Sequence, residues 1–365
     1  MNPVNIYTEW GPLKEVIVGD FDNYTIPRKI DDVDVSFRSF FHDNVFAEVR
    51  KFTRYRLNVY AKDVEKYPQQ IEEERTEDLN DLSTLLTQLG IGVKRPARMD
   101  AAREITSPNW TNVSSPCGNI RDQFFVIGDE VIETSPLMRG RYFENDLIKH
   151  HLLDYFRRGA KWTVSPRPMM LEESFDRSYF NENPPDADPS QYEIMFDGAQ
   201  CLKFGRDIVF NVANENHRLG AQWLQRHLGD RHRVHEVTVT DNHIDGMFLP
   251  LRPGTLIMKQ AMIDKIDRLP KPLQQWDIVK FLDEEDDTNA STDVLLASKG
   301  INLNVLSLDP NRVVINDQAT RTIRELERQG FEPVPVRLRH SRLYSGAFHC
   351  STLDIRREEQ LEDYF

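Results

Sequence analysis

Three cysteines in 365 residues, Cys117, Cys201 and Cys350, are too few and too scattered for a disulfide framework or for the paired spacings of a structural zinc site. No stretch approaches the roughly 18 to 20 consecutive apolar residues of a membrane helix, so the chain reads as soluble. Positive charge is also in deficit. The 46 lysines and arginines face 59 aspartates and glutamates, a net charge of −13 that argues against nucleic-acid backbones and anionic membranes as partners. The same field suits a small cationic ligand. Met1 to Trp10 lacks the basic-then-apolar pattern of a signal peptide, and with an odd number of cysteines the expected compartment is the reducing cytoplasm. A homo-oligomer is compatible with this composition, although no patch of sequence points to one.

What is present begins with a hydrophobic content of 39%, enough for a substantial core, in a length that alone suggests two domains of about 150 residues. A repeat argues instead for a single domain over residues 1–365. An apolar run, a tight polar turn and a second apolar run recur at residues 123–134 (turn Gly128-Asp129), 201–212 (turn Gly205-Arg206-Asp207) and 304–316 (turn Asp309-Pro310-Asn311). Weaker copies lie at residues 13–19 and, around Pro253-Gly254, at 247–259. Helical patterns over residues 77–89, 146–158, 215–228 and 319–329 each stop at a glycine. Units that cannot bury their faces alone must stack, and about five around an axis close a ring. The expected fold class is α/β, a five-bladed pseudo-symmetric α/β propeller of ββαβ-type modules; periodicity alone also leaves room for an ordinary α+β protein. Residues 31–75, 172–193 and 282–292, rich in charge, asparagine or proline, read as surface insertions.

Chemistry gathers on four segments. Ser345-Gly346-Ala347-Phe348-His349-Cys350 sets a cysteine behind small residues that let backbone approach closely, and a thiolate is the strongest side-chain nucleophile if a cation, helix end or base supports it. A cationic substrate could itself be that support. Judged alone, Cys350 reads more readily as a buried apolar thiol, the commonest fate of a free cysteine. His243 and Asp245, two positions apart at the start of an apolar run, share a face if that run is a strand, and an imidazole beside a carboxylate moves protons near neutral pH. Asp197 and Asp122 likewise open repeats. Equivalent positions in a ring converge, so these carboxylates could meet around one planar cation, though aspartate before a strand is also an ordinary turn cap.

Taken in order along the chain, the motifs resemble the arginine-dependent amidinotransferase family, which includes glycine, inosamine and lysine amidinotransferases. The resemblance is nearly full length. It runs from Tyr7-Thr8-Glu9-Trp10-Gly11-Pro12 through Arg121-Asp122, Arg139-Gly140-Arg141, Phe196-Asp197, Leu219-Gly220-Ala221-Gln222-Trp223, His243-Ile244-Asp245 and Asn304-Val305-Leu306 to Phe348-His349-Cys350. It implies a five-bladed propeller with the site at its axis, and transfer of an amidino group from L-arginine to a primary amine, with ornithine released. By the same resemblance Cys350 is the nucleophile that carries the amidino group, His243 the proton shuttle and Asp197 its orienting partner. Asp122, Asp245, Arg121 and Ser298 would bind substrate. No cofactor and no metal is implied; the partners are arginine and an amine acceptor such as lysine or a natural-product amine.

The sequence departs from the family at three places. Its glycine triplet before Phe-His-Cys is Ser345-Gly346-Ala347, the usual arginine after the Pro-Gly turn is replaced by Gln260-Ala261-Met262, and of a serine pair only Ser298 remains, after Ala297. Recognition of a carboxylate must then pass to Lys259 or Arg252, or the acceptor lacks the usual carboxylate. Two other enzymatic readings compete. A deiminase of the same fold would hydrolyse the Cys350 adduct with water. A non-haem iron oxygenase would use His243, Asp245 and either His340 or His349 as ligands, and would leave Cys350 and Asp197 without a role. A non-catalytic arginine-binding protein would need the carboxylates but not the thiol.

Overall fold

The apolar runs pair into five three-stranded sheets of one design in the computed structural model of the chain, which describes residues 2–27, 64–66, 69–178, 185–240, 243–283, 297 and 300–365. Phe124–Ile127, Glu130–Glu133 and Lys161–Val164 form one; Cys201–Phe204, Asp207–Asn211 and Arg233–Val237 the next. Phe248–Arg252, Thr255–Met258 and Asp277–Lys280 follow, then Leu306–Ser307, Arg312–Asn316 and Glu332–Val336. In each, the first two strands are an antiparallel hairpin and the third lies parallel to the second, which forces a crossover between them. The hairpin strands Phe124–Ile127, Asp207–Asn211 and Thr255–Met258 are buried along their whole length, as their largely apolar runs require.

The remaining sheet joins the two ends of the described chain. Leu13–Val18 runs antiparallel to Thr352–Arg357 and parallel to Gly92–Lys94. Arg357, fully buried, fastens this closure: its guanidinium donates to the carbonyls of Gly11 and, at 2.9 Å, Ser307, and pairs with Asp354 at 2.8 Å. Single bridges from Ile6 to Gly128 and from Thr8 to Phe204 lay the N-terminal segment against two further sheets. The architecture is α/β.

Four helices fill crossovers: α1 (Gln69–Gln88), α2 (Lys149–Arg157), α3 (Glu215–Leu228) and α4 (Thr320–Arg328). Each is followed closely by a glycine at positive φ, among them Gly229 at 58°, a conformation that ends a helix without Cβ strain. The sheet of Phe248–Arg252, Thr255–Met258 and Asp277–Lys280 has only the short helix Gln260–Ile263 and two 3-10 turns in its crossover. Helix α3 coincides with its sequence pattern; α2 is shorter because residues 144–148 wind as a 3-10 turn.

Helix α1 corrects two expectations. It begins eight residues before the pattern at 77, because its buried stripe is Ile71, Arg75, Asp78, Leu79, Leu82 and Leu86, and the two charged members hide the helical period. Residues 69–75 are therefore no part of a surface insertion; residues 28–63 and 67–68 lie outside the described residues. The segment at 172–193 is anchored where it is described. Asp176 accepts from the amide of Glu215 at the start of α3, and Glu193 from the amides of Met169 and Met170. In the acidic run, Asp283 caps α4 by accepting from the amides of Arg321 and Thr322, whereas residues 284–292 lie outside the described residues.

Candidate active site

A short turn precedes the first strand of every sheet, and on each turn stands a polar residue. Asp122 lies in the one-turn helix Ile120–Gln123, Asp197 before the 3-10 turn Gly198–Gln200, and His243 and Asp245 at the 3-10 turn Ile244–Gly246. Asn304 follows the turn Ile301–Leu303, and Cys350 lies two positions before Thr352, where the strand Thr352–Arg357 begins. Hydrogen bonds join these residues across modules in two linked groups.

The first group surrounds the thiol. Cys350 Sγ donates to Asp245 Oδ2 at 3.4 Å, and the Cys350 amide donates to Asn304 Oδ1 at 2.8 Å. Asn304 Nδ2 returns to Asp245 Oδ2 at 2.9 Å, while His349 Nδ1 meets the same oxygen at 2.8 Å. The opposite ring nitrogen of His349 faces Glu9 Oε2 at 3.2 Å, and Glu9 is neutralised by Lys203 at 2.7 Å and Arg121 at 3.4 Å. Burial pushes the Cys350 thiol well above its ordinary value, and Asp245 and Asp122 push it the same way. Burial also raises Asp245, but the bond from His349, the neighbouring imidazoles His349 and His243 and the bond from Asn304 together outweigh it and hold the carboxyl below its ordinary range.

The second group surrounds His243. Its Nε2 lies 2.9 Å from Asp197 Oδ2 and its Nδ1 3.5 Å from Asp122 Oδ1. Burial disfavours the charged ring, yet Asp122 and Asp197 together raise it from an ordinary 6.5 to about 9. Asp122 in turn accepts from Arg141 Nη1 at 2.6 Å, and Glu144 grips the same guanidinium at 2.6 and 2.9 Å. Because the folded value of His243 is the higher one, its charge stabilises the fold fully below about 6.5, and this contribution is lost as pH rises through about 9. The loss amounts to roughly 3 kcal/mol. Urea unfolding of wild type and His243→Gln should show a stability difference that is larger near pH 6 than near pH 10. A difference independent of pH would contradict the charged-ring assignment.

Three buried carboxylate oxygens, Asp122 Oδ1, Asp197 Oδ1 and Asp245 Oδ1, accept no hydrogen bond among the described residues. Buried acceptors without donors are costly, and they belong to side chains otherwise firmly held. Such a set can receive a planar, many-donor cation beside a thiol and an imidazolium. Asp122, Asp197 and His243 also bring one donor atom each within 4.8 Å of one another, a spacing that a shared cation would fit.

The backbone holds these groups tightly. Gly198 admits no side chain, since a Cβ there would lie 2.1 Å from the Phe124 carbonyl oxygen and 2.4 Å from that of Arg121. Gly198→Ala should lower stability by about 2 kcal/mol or more and disturb Asp197 with it, measurable by chemical denaturation; an unchanged midpoint would contradict this packing. Of the positions aligned with the glycine triplet, Gly346 is the crowded one: a Cβ would stand 2.3 Å from Asn119 Oδ1 and 2.8 Å from Cys350 Cβ. Ser345 adopts a left-handed φ of 53°, so the chain tolerates a strained residue where glycine is relaxed.

Sequence reasoning anticipated Cys350, His243, Asp197, Asp122 and Asp245, and all five stand in these two groups. The local geometry of two of them differs. His243 and Asp245 sit around a 3-10 turn, not on a strand, and His243 is bonded to Asp197 while Asp245 serves the thiol. Arg121 donates to the His349 carbonyl at 2.7 Å and to Asp354 at 2.8 Å, so its guanidinium is engaged behind the turn that carries Cys350. Ser298 lies outside the described residues. Arg252 stacks 4.1 Å over the Phe331 ring and donates to the Gln329 carbonyl, and Lys259 is buried at the start of Gln260–Ile263. The iron-ligand set is not assembled with His340, which pairs with Glu74 at 2.5 Å, and both ring nitrogens of His349 face carboxylates. Glu9, Asn304, Arg141, Glu144 and Lys203 were missed as site residues, although Glu9, Arg141 and Asn304 fall inside motifs already singled out.

Comparison with known proteins identifies the chemistry. No family model matches the chain. The chain is 32% identical to inosamine-phosphate amidinotransferase 1 of Streptomyces glaucescens over 369 residues, covering 100% of this chain and 99% of that protein. It is 30% identical to the L-arginine:L-lysine amidinotransferase of Pseudomonas savastanoi pv. phaseolicola, covering 100% and 97%. Among solved structures it superposes on SxtG, an amidinotransferase of Microseira wollei in saxitoxin biosynthesis, with a TM-score of 0.82, 31% identity and full coverage of both chains. Likeness of this extent, end to end in sequence and in fold, places the chain in the arginine-dependent amidinotransferase family as an enzyme of that class.

Proposed function

We propose that the chain transfers the amidino group of L-arginine to a primary amine through a covalent intermediate on Cys350. The observation that carries this reading is the trio of donor-starved carboxylate oxygens on Asp122, Asp197 and Asp245, beside a thiol and a charged imidazole. A guanidinium satisfies all three, and its positive charge reverses the field that pushes the Cys350 thiol up. The thiol proton then passes to solvent as the cation enters. The thiolate attacks the central guanidinium carbon, forming a carbon–sulfur bond. His243, protonated at neutral pH with a value of about 9, gives its proton to the departing nitrogen, and ornithine leaves as the carbon–nitrogen bond breaks. Neutral His243 is then the base that takes a proton from the incoming amine, which displaces sulfur as the thiolate; as the guanidino product leaves, the thiolate recovers a proton from solvent.

In this reading the five modules surround one axis as a five-bladed propeller, residues 1–365 form one catalytic domain, and the aligned turns before the first strands meet at the axis. Asp197 orients His243, and Asp122 and Asp245 bind guanidinium. Arg121 supports the turn from behind. The acceptor is lysine or an amine intermediate of a guanidine-bearing natural product; Lys259 is the candidate partner for an acceptor carboxylate. No helix among the described residues is long and apolar enough to cross a membrane, and the three cysteines are free and buried, which fits small-molecule chemistry in a reducing compartment.

The test is a product balance. Arginine is incubated with the enzyme and, in separate tubes, lysine, glycine and an aminocyclitol phosphate. Ornithine and the matching guanidino product should accumulate in equal amounts with one acceptor. Citrulline in place of both would make the enzyme a hydrolase and end the transferase reading.

A further inference from the structure

Arg75 of α1 is completely buried, yet no carboxylate hydrogen-bonds its guanidinium among the described residues. Nη1 donates to the Arg339 carbonyl at 3.2 Å, and Nη2 donates to the Gly346 carbonyl at 3.1 Å and to Ser351 Oγ at 3.0 Å. Its Nε has no acceptor among the described residues. The group lies 4.9 Å from the centre of the Phe21 ring and 5.4 Å from that of Tyr344. Asp78, one turn along α1, is occupied by Arg337 and Arg339. A buried cation held by neutral acceptors is costly to keep, and burial draws Arg75 down to about 10, opposed by Tyr344, Asp78 and Cys350.

Both acceptors of Nη2 belong to the nucleophile's turn, Gly346 four residues before Cys350 and Ser351 directly after it. We propose that Arg75 is a positioning residue for amidino transfer, which ties the two flanks of Cys350 together and supplies a fixed positive charge that favours its thiolate. The inference rests on the role of Cys350 proposed above. Around the thiol, Asp245 and Asp122 oppose ionisation and Arg121 favours it, with His349 bonded to Asp245 and His243 to Asp197. Arg75 reaches Cys350 through the turn itself, by its bonds to the Gly346 carbonyl and Ser351 Oγ.

The test reads the thiol directly. Wild type, Arg75→Met and Arg75→Lys, each shown to be folded by its melting transition, are alkylated with iodoacetamide across pH, and Cys350 is followed by peptide mass with Cys117 and Cys201 as internal controls. Arg75→Met should move the Cys350 midpoint up by about one pH unit and lower kcat for ornithine release about tenfold with little change in KM. Arg75→Lys keeps the charge but loses the two-armed grip, so its midpoint should stay near wild type while release remains slowed. A folded Arg75→Met with the wild-type midpoint overturns the proposal. If the methionine variant does not fold, the lysine variant decides: slowed release with a retained midpoint supports the assignment, and a wild-type rate overturns it. Alkylation needs no substrate, so a failure of Arg75 is distinct from a failure of wild type to release ornithine.

Discussion

Cys350→Ala is expected to lower ornithine release from arginine by on the order of 10,000-fold or more, the scale of losing a covalent nucleophile. The thiol is the reacting atom in the proposed step, and nothing adjacent can replace it. Its neighbours Asp245, Asn304 and His349 are hydrogen-bonded to one another, and neither Cys117 nor Cys201 belongs to the cluster. Stability should change little by comparison, because the Cys350 amide, not its sulfur, makes the 2.8 Å bond to Asn304. Arginine should still bind through the carboxylates, so isothermal calorimetry on the alanine variant should retain the ligand while turnover disappears. A variant that turns over at even a tenth of the wild-type rate would remove the covalent mechanism.

His243→Asn is the second large effect, about 100- to 10,000-fold on the same reaction. Asp122 and Asp197 keep the ring charged until about pH 9, so wild-type ornithine release should decline as pH rises through that value and the acid form is lost. The asparagine variant should lose this limb of the profile. An isothiourea analogue of arginine, whose sulfur leaving group departs without a proton, should suffer far less from the substitution than arginine does. Equal losses on both donors would show that His243 positions substrate rather than protonating the leaving nitrogen.

Much of this site is legible in the sequence because the fold repeats. The turns at Asp122, Asp197 and Asp245 precede apolar runs that anyone can mark, and equivalence between modules predicts that they gather. The hairpins at 123–134 and 201–212 and helix α3 are local patterns and fold as such. What escaped is non-local or disguised. Leu13–Val18 pairs with a strand at the other end of the chain, and Glu9 meets His349 across 340 residues, so no window of sequence contains both partners. Arg75 reads as one more charge in a polar segment, and only the fold turns that face of α1 inward onto Gly346 and Ser351. The exchange of partners between His243 and Asp245 was hidden for a smaller reason: a 3-10 turn replaces the strand on which alternate residues would have shared a face.

The central claim is that Cys350 carries the amidino group, and intact mass spectrometry after brief exposure to arginine alone tests it most directly. The account predicts a gain of one amidino group, mapped to the peptide containing Cys350, with ornithine released in equal amount and the adduct discharged on addition of an amine. An unmodified protein with neither ornithine nor citrulline released would contradict it.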